Sequence, residues 1–146
     1  MKAYLDTNIL FSLIKKQIEN RIVGIQPREI FNNYKIEPVI SSFTLLELGK
    51  VLKRELGFCW EVVFKLLEGL LEKTKVLEEV KIDRFSFKFL QCGLSLEDLL
   101  HLTFSRSNEI PIVTNDKHMI NVAKNFGIRV LPLKELKIFT IENKII

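Results

Sequence analysis

This sequence predicts an α/β domain with a mainly parallel sheet flanked by helices, on three observations. Short apolar or β-branched runs alternate with helix-length stretches through most of the chain, and parallel neighbours need crossover helices between them. The 146 residues fit one compact domain, residues 1–146. Apolar residues make up 47% of the chain, enough for a core, which excludes global disorder. In such sheets chemistry gathers at the carboxyl ends of the strands, so strand-to-helix junctions matter most.

The elements follow in order. Ala3-Tyr4-Leu5 is a short apolar run ending at Asp6, and Ile9 to Ile14 is helix-like. Arg28 to Tyr34 suits a second short helix. Glu37 to Ile40 reads as a strand, with Val39 and Ile40 β-branched. Phe43 to Leu56 carries a helical stripe of Leu45, Leu48, Val51, Leu52 and Leu56, opposed by Glu47, Lys50 and Arg54. Trp60 to Leu71 is also helical, and its six aliphatics Val62, Val63, Leu66, Leu67, Leu70 and Leu71 wrap more than one face. So apolar a helix is either deeply buried or half of an interface. Lys75 to Val80 suits a strand, and Phe85 to Leu90 fits either class. Leu96 to Phe104 is helical, with Leu96, Leu99, Leu100 and Phe104 expected inward. A strand over Ile110 to Val113, a helix over Lys117 to Phe126 and a strand over Ile128 to Leu131 complete the chain. Pro27, Pro38, Pro111 and Pro132 all fall where the pattern changes.

With 22 Lys plus Arg against 18 Asp plus Glu the net charge is +4, which permits a polyanionic partner without requiring one. Lys15, Lys16, Arg21 and Arg28 follow the first helix and could track a phosphate backbone, though each also suits an ordinary solvated face. The longest uncharged run, Pro38 to Leu46, is nine residues, too short to span a bilayer. Lys2 is followed by no signal-peptide core, so a soluble, cytoplasmic protein is expected. Cys59 and Cys92 form no CxxC pair and are expected as core thiols. The six glycines are scattered, which argues against a nucleotide-binding phosphate loop.

Four carboxylates fall near predicted helix starts. Asp6 ends the first strand and Asp116 follows the late strand Ile110 to Val113. Glu47 is expected in the first turn of the helix after the second strand, and Asp98 in the first turn of the helix opened by Ser95. Each has a structural explanation. Thr44-Leu45-Leu46-Glu47 and Ser95-Leu96-Glu97-Asp98 fit the capping-box pattern, and Asp6 and Asp116 suit N-caps. Side by side, however, the four would repel one another unless protons or cations shared the site. Grouped hard oxygens suit Mg²⁺ or Mn²⁺, ions that activate water and stabilise an in-line phosphoryl displacement. A metal-dependent nuclease or phosphatase is the enzyme hypothesis this pattern raises.

The sequence resembles the PIN-domain family, Mg²⁺/Mn²⁺-dependent ribonucleases that include the VapC toxins of toxin–antitoxin pairs. The matching segments are Tyr4-Leu5-Asp6-Thr7-Asn8-Ile9-Leu10, Ser42 through Glu47-Leu48, Leu96-Glu97-Asp98-Leu99-Leu100-His101-Leu102 and Ile112-Val113-Thr114-Asn115-Asp116-Lys117. They stand in the family's order, from residue 4 to about 131, while Gly57 to Leu94 carries no motif. The resemblance implies a PIN-like domain with an acidic cleft at the strand carboxyl ends. In it Asp6, Glu47, Asp98 and Asp116 would be the catalytic, metal-binding set, supported by Thr7, Asn8 and Thr114. It implies RNA as substrate; the apolar Trp60 to Leu71 helix, by its own pattern, calls for a homodimer or a groove for an antitoxin protein to cover it. Where many relatives carry a further acid two residues after the fourth, this chain has His118, one negative charge fewer for a second metal position. The alternative is a non-catalytic PIN-fold module that binds RNA or protein. Asp6-Thr7-Asn8 is also similar to the start of haloacid-dehalogenase phosphatases, but that chemistry needs a second acid where Asn8 stands. Asp98 and His101 share a helix face, and a bond that orients His101 is expected in preference to a D-x-x-H metal pair.

Overall fold

The structure, a computed structural model, describes residues 1–20 and 37–131. The expected helix over Arg28 to Tyr34, the cations Arg21 and Arg28, Pro27 and Pro132 lie outside them. The described residues form five strands and six α-helices: β1 (Lys2–Leu5), α1 (Thr7–Asn20), β2 (Glu37–Ser41), α2 (Ser42–Leu56), α3 (Trp60–Lys73), β3 (Lys75–Leu77), α4 (Arg84–Lys88), α5 (Leu96–Ser107), β4 (Ile112–Val113), α6 (Lys117–Asn125) and β5 (Val130–Leu131). A 3₁₀ turn over Phe89–Cys92 continues α4, so the ambiguous Phe85 to Leu90 stretch is helical.

Every strand pairing is parallel, in the spatial order β3-β2-β1-β4-β5. The chain winds outward from β1 in both directions, and the switch between the two windings lies between β1 and β4. A crevice opens there at the carboxyl ends of an open parallel sheet. The register sets Leu5 opposite Val113, so the residues following both strands emerge together.

Alternation along the strands divides the core between two faces. Ala3, Leu5, Ile40, Val113 and Leu131 pack on the side covered by α1, α2 and α3. Tyr4 and Ile112 face the other side, against Leu99, Leu102 and Phe104 of α5 and Met119, Val122 and Ala123 of α6. Helix α3 closes tightly on α2 at Gly49, where a Cβ would stand 3.1 Å from Leu67 Cδ1.

Several sequence expectations shift. Leu96 is 67% exposed, because the inward face of α5 is turned to bury His101, Leu102, Thr103 and Ser105. Cys59 is exposed and Cys92 only half-buried, since both sit at helix ends and not on an inward stripe. Helix α3 is not deeply buried: Val63, Leu66 and Leu70 enter the core, while Trp60, Phe64 and Leu71 are 49%, 54% and 54% exposed. Among the described residues no helix is long and apolar enough to cross a membrane.

Helix α2 ends on Gly57 in the left-handed conformation (φ 64°), its N–H bonded to the Lys53 carbonyl. Nothing lies within 4 Å of where a Cβ would stand, so substitution there is purely conformational. Gly57→Ala is expected to lower stability by about 1 kcal/mol. Urea unfolding should show a lower midpoint at unchanged slope.

Candidate active site

Asp6 is the first residue beyond the central strand. Its N–H bonds the Val113 carbonyl, and its own carbonyl accepts from Ile9 and Leu10, which starts α1. The carboxylate is buried and reaches across the switch point: the Thr114 hydroxyl donates to Oδ2 at 3.0 Å. The same hydroxyl accepts from the Asp116 N–H at 3.1 Å, so one side chain ties the ends of β1 and β4. Burial pushes the Asp6 carboxyl above its usual range; Glu47 adds to this, and His101 and Thr114 partly offset it.

Asp116 caps α6, its Oδ1 accepting from the Met119 N–H at 3.0 Å. Asp98 stands in the first turn of α5, where its N–H donates to the N-cap Ser95 hydroxyl. Its carboxyl is also raised, by burial first and then by the negative charges of Asp116 and Asp6. The three aspartates therefore share one electrostatic field, although they come from three separate junctions.

Glu47 is placed differently from the sequence expectation. The capping box forms between Ser41 and Thr44 and not between Thr44 and Glu47, so Glu47 falls in the second turn of α2. From there it accepts from His101 Nε2 at 3.1 Å. Burial would raise its carboxyl, but bonds from His101 and Thr7 outweigh this and hold it below the usual range.

His101 is the residue sequence reasoning undervalued. Only 1% exposed, it sets Nε2 against Thr7 Oγ1 (3.2 Å), Glu47 Oε1 and Asp6 Oδ1 (3.7 Å), and Nδ1 against the Tyr4 hydroxyl (2.7 Å). Tyr4 also meets the hydroxyls of Ser41 (2.9 Å) and Thr44 (3.0 Å). Burial pushes the Tyr4 hydroxyl far above its usual range, so it remains an O–H donor. The available cue was a histidine on the apolar side of α5, opposite a strand tyrosine. Its partners are Tyr4, Thr7 and the two acids, where the sequence suggested orientation by Asp98.

Of the other expected contributors, Thr7 and Thr114 join this network. Asn8 is exposed and makes none of its hydrogen bonds among the described residues. His118 is exposed at the start of α6, facing Gly93. Lys15 and Lys16 sit roughly 13 Å along α1 from the end that carries Asp6, away from the crevice. An open groove of about 670 Å³ lined by Asp83, Arg106, Glu109, Phe126 and Arg129 lies at the opposite, amino end of the sheet. There Arg106 is already committed to Asp83 in a two-pronged bond.

Among the described residues no three acidic, histidine or cysteine side chains are gathered closely enough to hold a metal ion. The donor chemistry nonetheless fits a hard divalent cation: three aspartates in one field, two of them with raised carboxyls, and oxygen donors throughout.

The PIN domain family matches the sequence over residues 3–125. The chain belongs to the PIN domain family. This PIN domain superposes on VapBC-1 from nontypeable Haemophilus influenzae with a TM-score of 0.61 at 20% identity, covering 90% of this chain and 98% of that one. PAE2754 from Pyrobaculum aerophilum gives a TM-score of 0.61 at 18% identity, covering 96% of each chain. VapBC2 from Rickettsia felis, solved bound to a DNA fragment from its promoter, gives 0.59 at 18%, covering 90% and 98%. At these identities the likeness is one of fold. No curated protein matches the sequence.

The raised Asp98 carboxyl has a consequence for stability. The native state holds this proton more tightly than the unfolded chain, so stability falls as pH rises from the ordinary value of 3.8 through the raised native one. Asp98→Asn carries no such penalty. In metal-free buffer the variant should gain on the wild type as pH rises above about 4, read by urea unfolding at each pH. A variant less stable at neutral pH by about 0.5–1 kcal/mol would assign Asp98 to the helix start alone.

Proposed function

We propose that this PIN domain is a Mg²⁺- or Mn²⁺-dependent ribonuclease that hydrolyses RNA phosphodiester bonds. The observation that carries the reading is that Asp6 and Asp98 are both held above their usual range, chiefly by burial, and that Asp98 also feels the negative charges of Asp116 and Asp6. A divalent cation relieves such repulsion more effectively than protons at neutral pH. When bound, it supplies an activated water and neutralises charge at the scissile phosphate.

Asp6, Asp98 and Asp116 would hold the ion. Thr114 fixes one oxygen of Asp6 and so orients the carboxylate. Glu47, kept ionised by His101 and Thr7, would complete the ligand set or accept the proton of the attacking water. Lys117, exposed beside Asp116, offers a cation to the phosphate backbone. With His118 in place of a further acid, one tightly held ion is the expected stoichiometry.

The VapBC names of two structural relatives support reading this chain as the toxin of a toxin–antitoxin pair in the cytoplasm, with an antitoxin protein as partner. We also propose a homodimer that covers the exposed Trp60, Phe64 and Leu71. The two aromatics stack at 5.9 Å and present a contiguous apolar face. The second reading, a non-catalytic module for RNA or protein, draws on the absence of three gathered ligands among the described residues.

Melts with and without Mn²⁺ and a cleavage assay on single-stranded RNA separate the two. Mn²⁺ should stabilise the wild type, with the shift shrunken in Asp98→Asn, and cleavage should fall by at least about 100-fold in that variant. A wild type indifferent to Mn²⁺ and inert toward RNA would favour the binding module. For the dimer, light scattering should give twice the chain mass for the wild type and the single mass for Phe64→Glu. A monodisperse wild-type monomer at high concentration would exclude it.

A further inference from the structure

Tyr4, Thr7 and Glu47 converge on His101 in the wall behind the candidate site. Its imidazole is held from both sides: Tyr4 at Nδ1, and Thr7 and Glu47 at Nε2. Nε2 faces two oxygen acceptors, one of them a carboxylate, so it carries a proton. Tyr4 is in turn wedged between the hydroxyls of Ser41 and Thr44, which bond each other at 3.0 Å, and stacks on Phe104 at 6.0 Å. The chain Ser41/Thr44–Tyr4–His101–Glu47 thus runs from the end of β2 to Glu47 on α2. Of that acid's two oxygens, Oε1 is the one on His101. A glutamate has three rotatable bonds, and Glu47 is half-buried, so this bond, with the one from Thr7, sets where its carboxylate stands.

We propose that His101 is a positioning residue which, braced by Tyr4, holds the Glu47 carboxylate in the orientation used at the metal site. This rests on the metal-dependent reading above. It follows the general behaviour of acidic metal ligands, whose partners in turn fix their direction and whose loss commonly costs about 10–100-fold in affinity or activity. The arrangement leaves His101 no role as a ligand: both ring nitrogens are engaged, and the ring is buried beneath the acids.

The test compares His101→Leu, His101→Gln and Tyr4→Phe by calorimetric titration with Mn²⁺, with thermal melts run in parallel. Glutamine can place an amide N–H where Nε2 stands; leucine cannot. Mn²⁺ affinity is expected to drop about 10–100-fold in His101→Leu, to recover largely in His101→Gln, and to fall by a smaller factor in Tyr4→Phe. The recovery by glutamine is the part that general core damage would not produce. If His101→Leu does not fold, Tyr4→Phe decides, because it keeps the imidazole and removes only the hydroxyl that braces it. Equal Mn²⁺ affinity in wild type and folded variants would overturn the positioning role alone. Tighter binding in His101→Leu would also overturn it, by showing that the imidazole competes for Glu47. A wild type that takes up no Mn²⁺ would overturn the metal-site reading and the positioning role together.

Discussion

A carboxylate buried at the end of the central strand constrains much of what surrounds it. Asp6 lies where the two windings of the sheet part, and burying an ionised acid there is costly unless it is hydrogen-bonded and electrostatically compensated. Thr114 supplies the bond from the neighbouring strand, and His101 brings a partner from the helix layer on the far face. The demand for partners then propagates. Tyr4 must serve His101, Ser41 and Thr44 must serve Tyr4, and no buried side-chain polar atom among the described residues is left without a partner. A polar seam through the core, made of Asp6, Thr114, His101, Tyr4, Ser41 and Thr44, follows from the position of one acid.

The parallel topology makes this seam possible. Because every strand points the same way, α1, α2 and α6, which directly follow β1, β2 and β4, begin at the same end of the sheet. Helix N-termini favour acids for their own reasons, through caps and the helix dipole. Capping and site-building are therefore the same placement seen twice. Asp116 accepts from the Met119 N–H and also raises the Asp98 carboxyl. Glu47 is the exception: in the second turn of α2 it serves no helix start, and its bonds go to His101 and Thr7. An acid that caps no helix and is held ionised by His101 and Thr7 is the ground for the role proposed for Glu47.

The two faces of the sheet carry different tasks. Helices α1, α2 and α3 close an apolar layer over Leu5, Ile40 and Val113, with Gly49 letting α2 and α3 approach. The other layer, under α5 and α6, accommodates Tyr4 and His101 among Leu99, Leu102 and Phe104. The polar network is thus centred on the second layer and is met at its edge by Thr7 of α1 and by Thr44 and Glu47 of α2. The apolar side of α3 that neither layer needs is the part of the surface that association with a second copy would use.

The alternation of strands and helices, and the ends of most elements to within a few residues, were legible in the sequence. Periodicity and caps are local, and residues three or four apart decide them. The junction acids Asp6, Asp98 and Asp116 were legible for the same reason: each stands beside a strand or a cap that its own neighbours define. Glu47 was assigned to the cap because two overlapping boxes, Ser41 with Thr44 and Thr44 with Glu47, compete locally. The second hydroxyl of the first box, together with Tyr4, decided between them. His101 was not legible as the centre of the network. Its partners are 97 and 54 residues away, and the Thr114–Asp6 bond spans 108. Such bonds exist only once strand register and helix rotation are set. A one-residue shift would turn Tyr4 to the opposite face and leave the imidazole unpaired. The sequence by itself determined which elements form and which acids stand at their ends. Tertiary structure alone decided which of them share a field and which side chain holds them, because both depend on distances that only the assembled sheet defines.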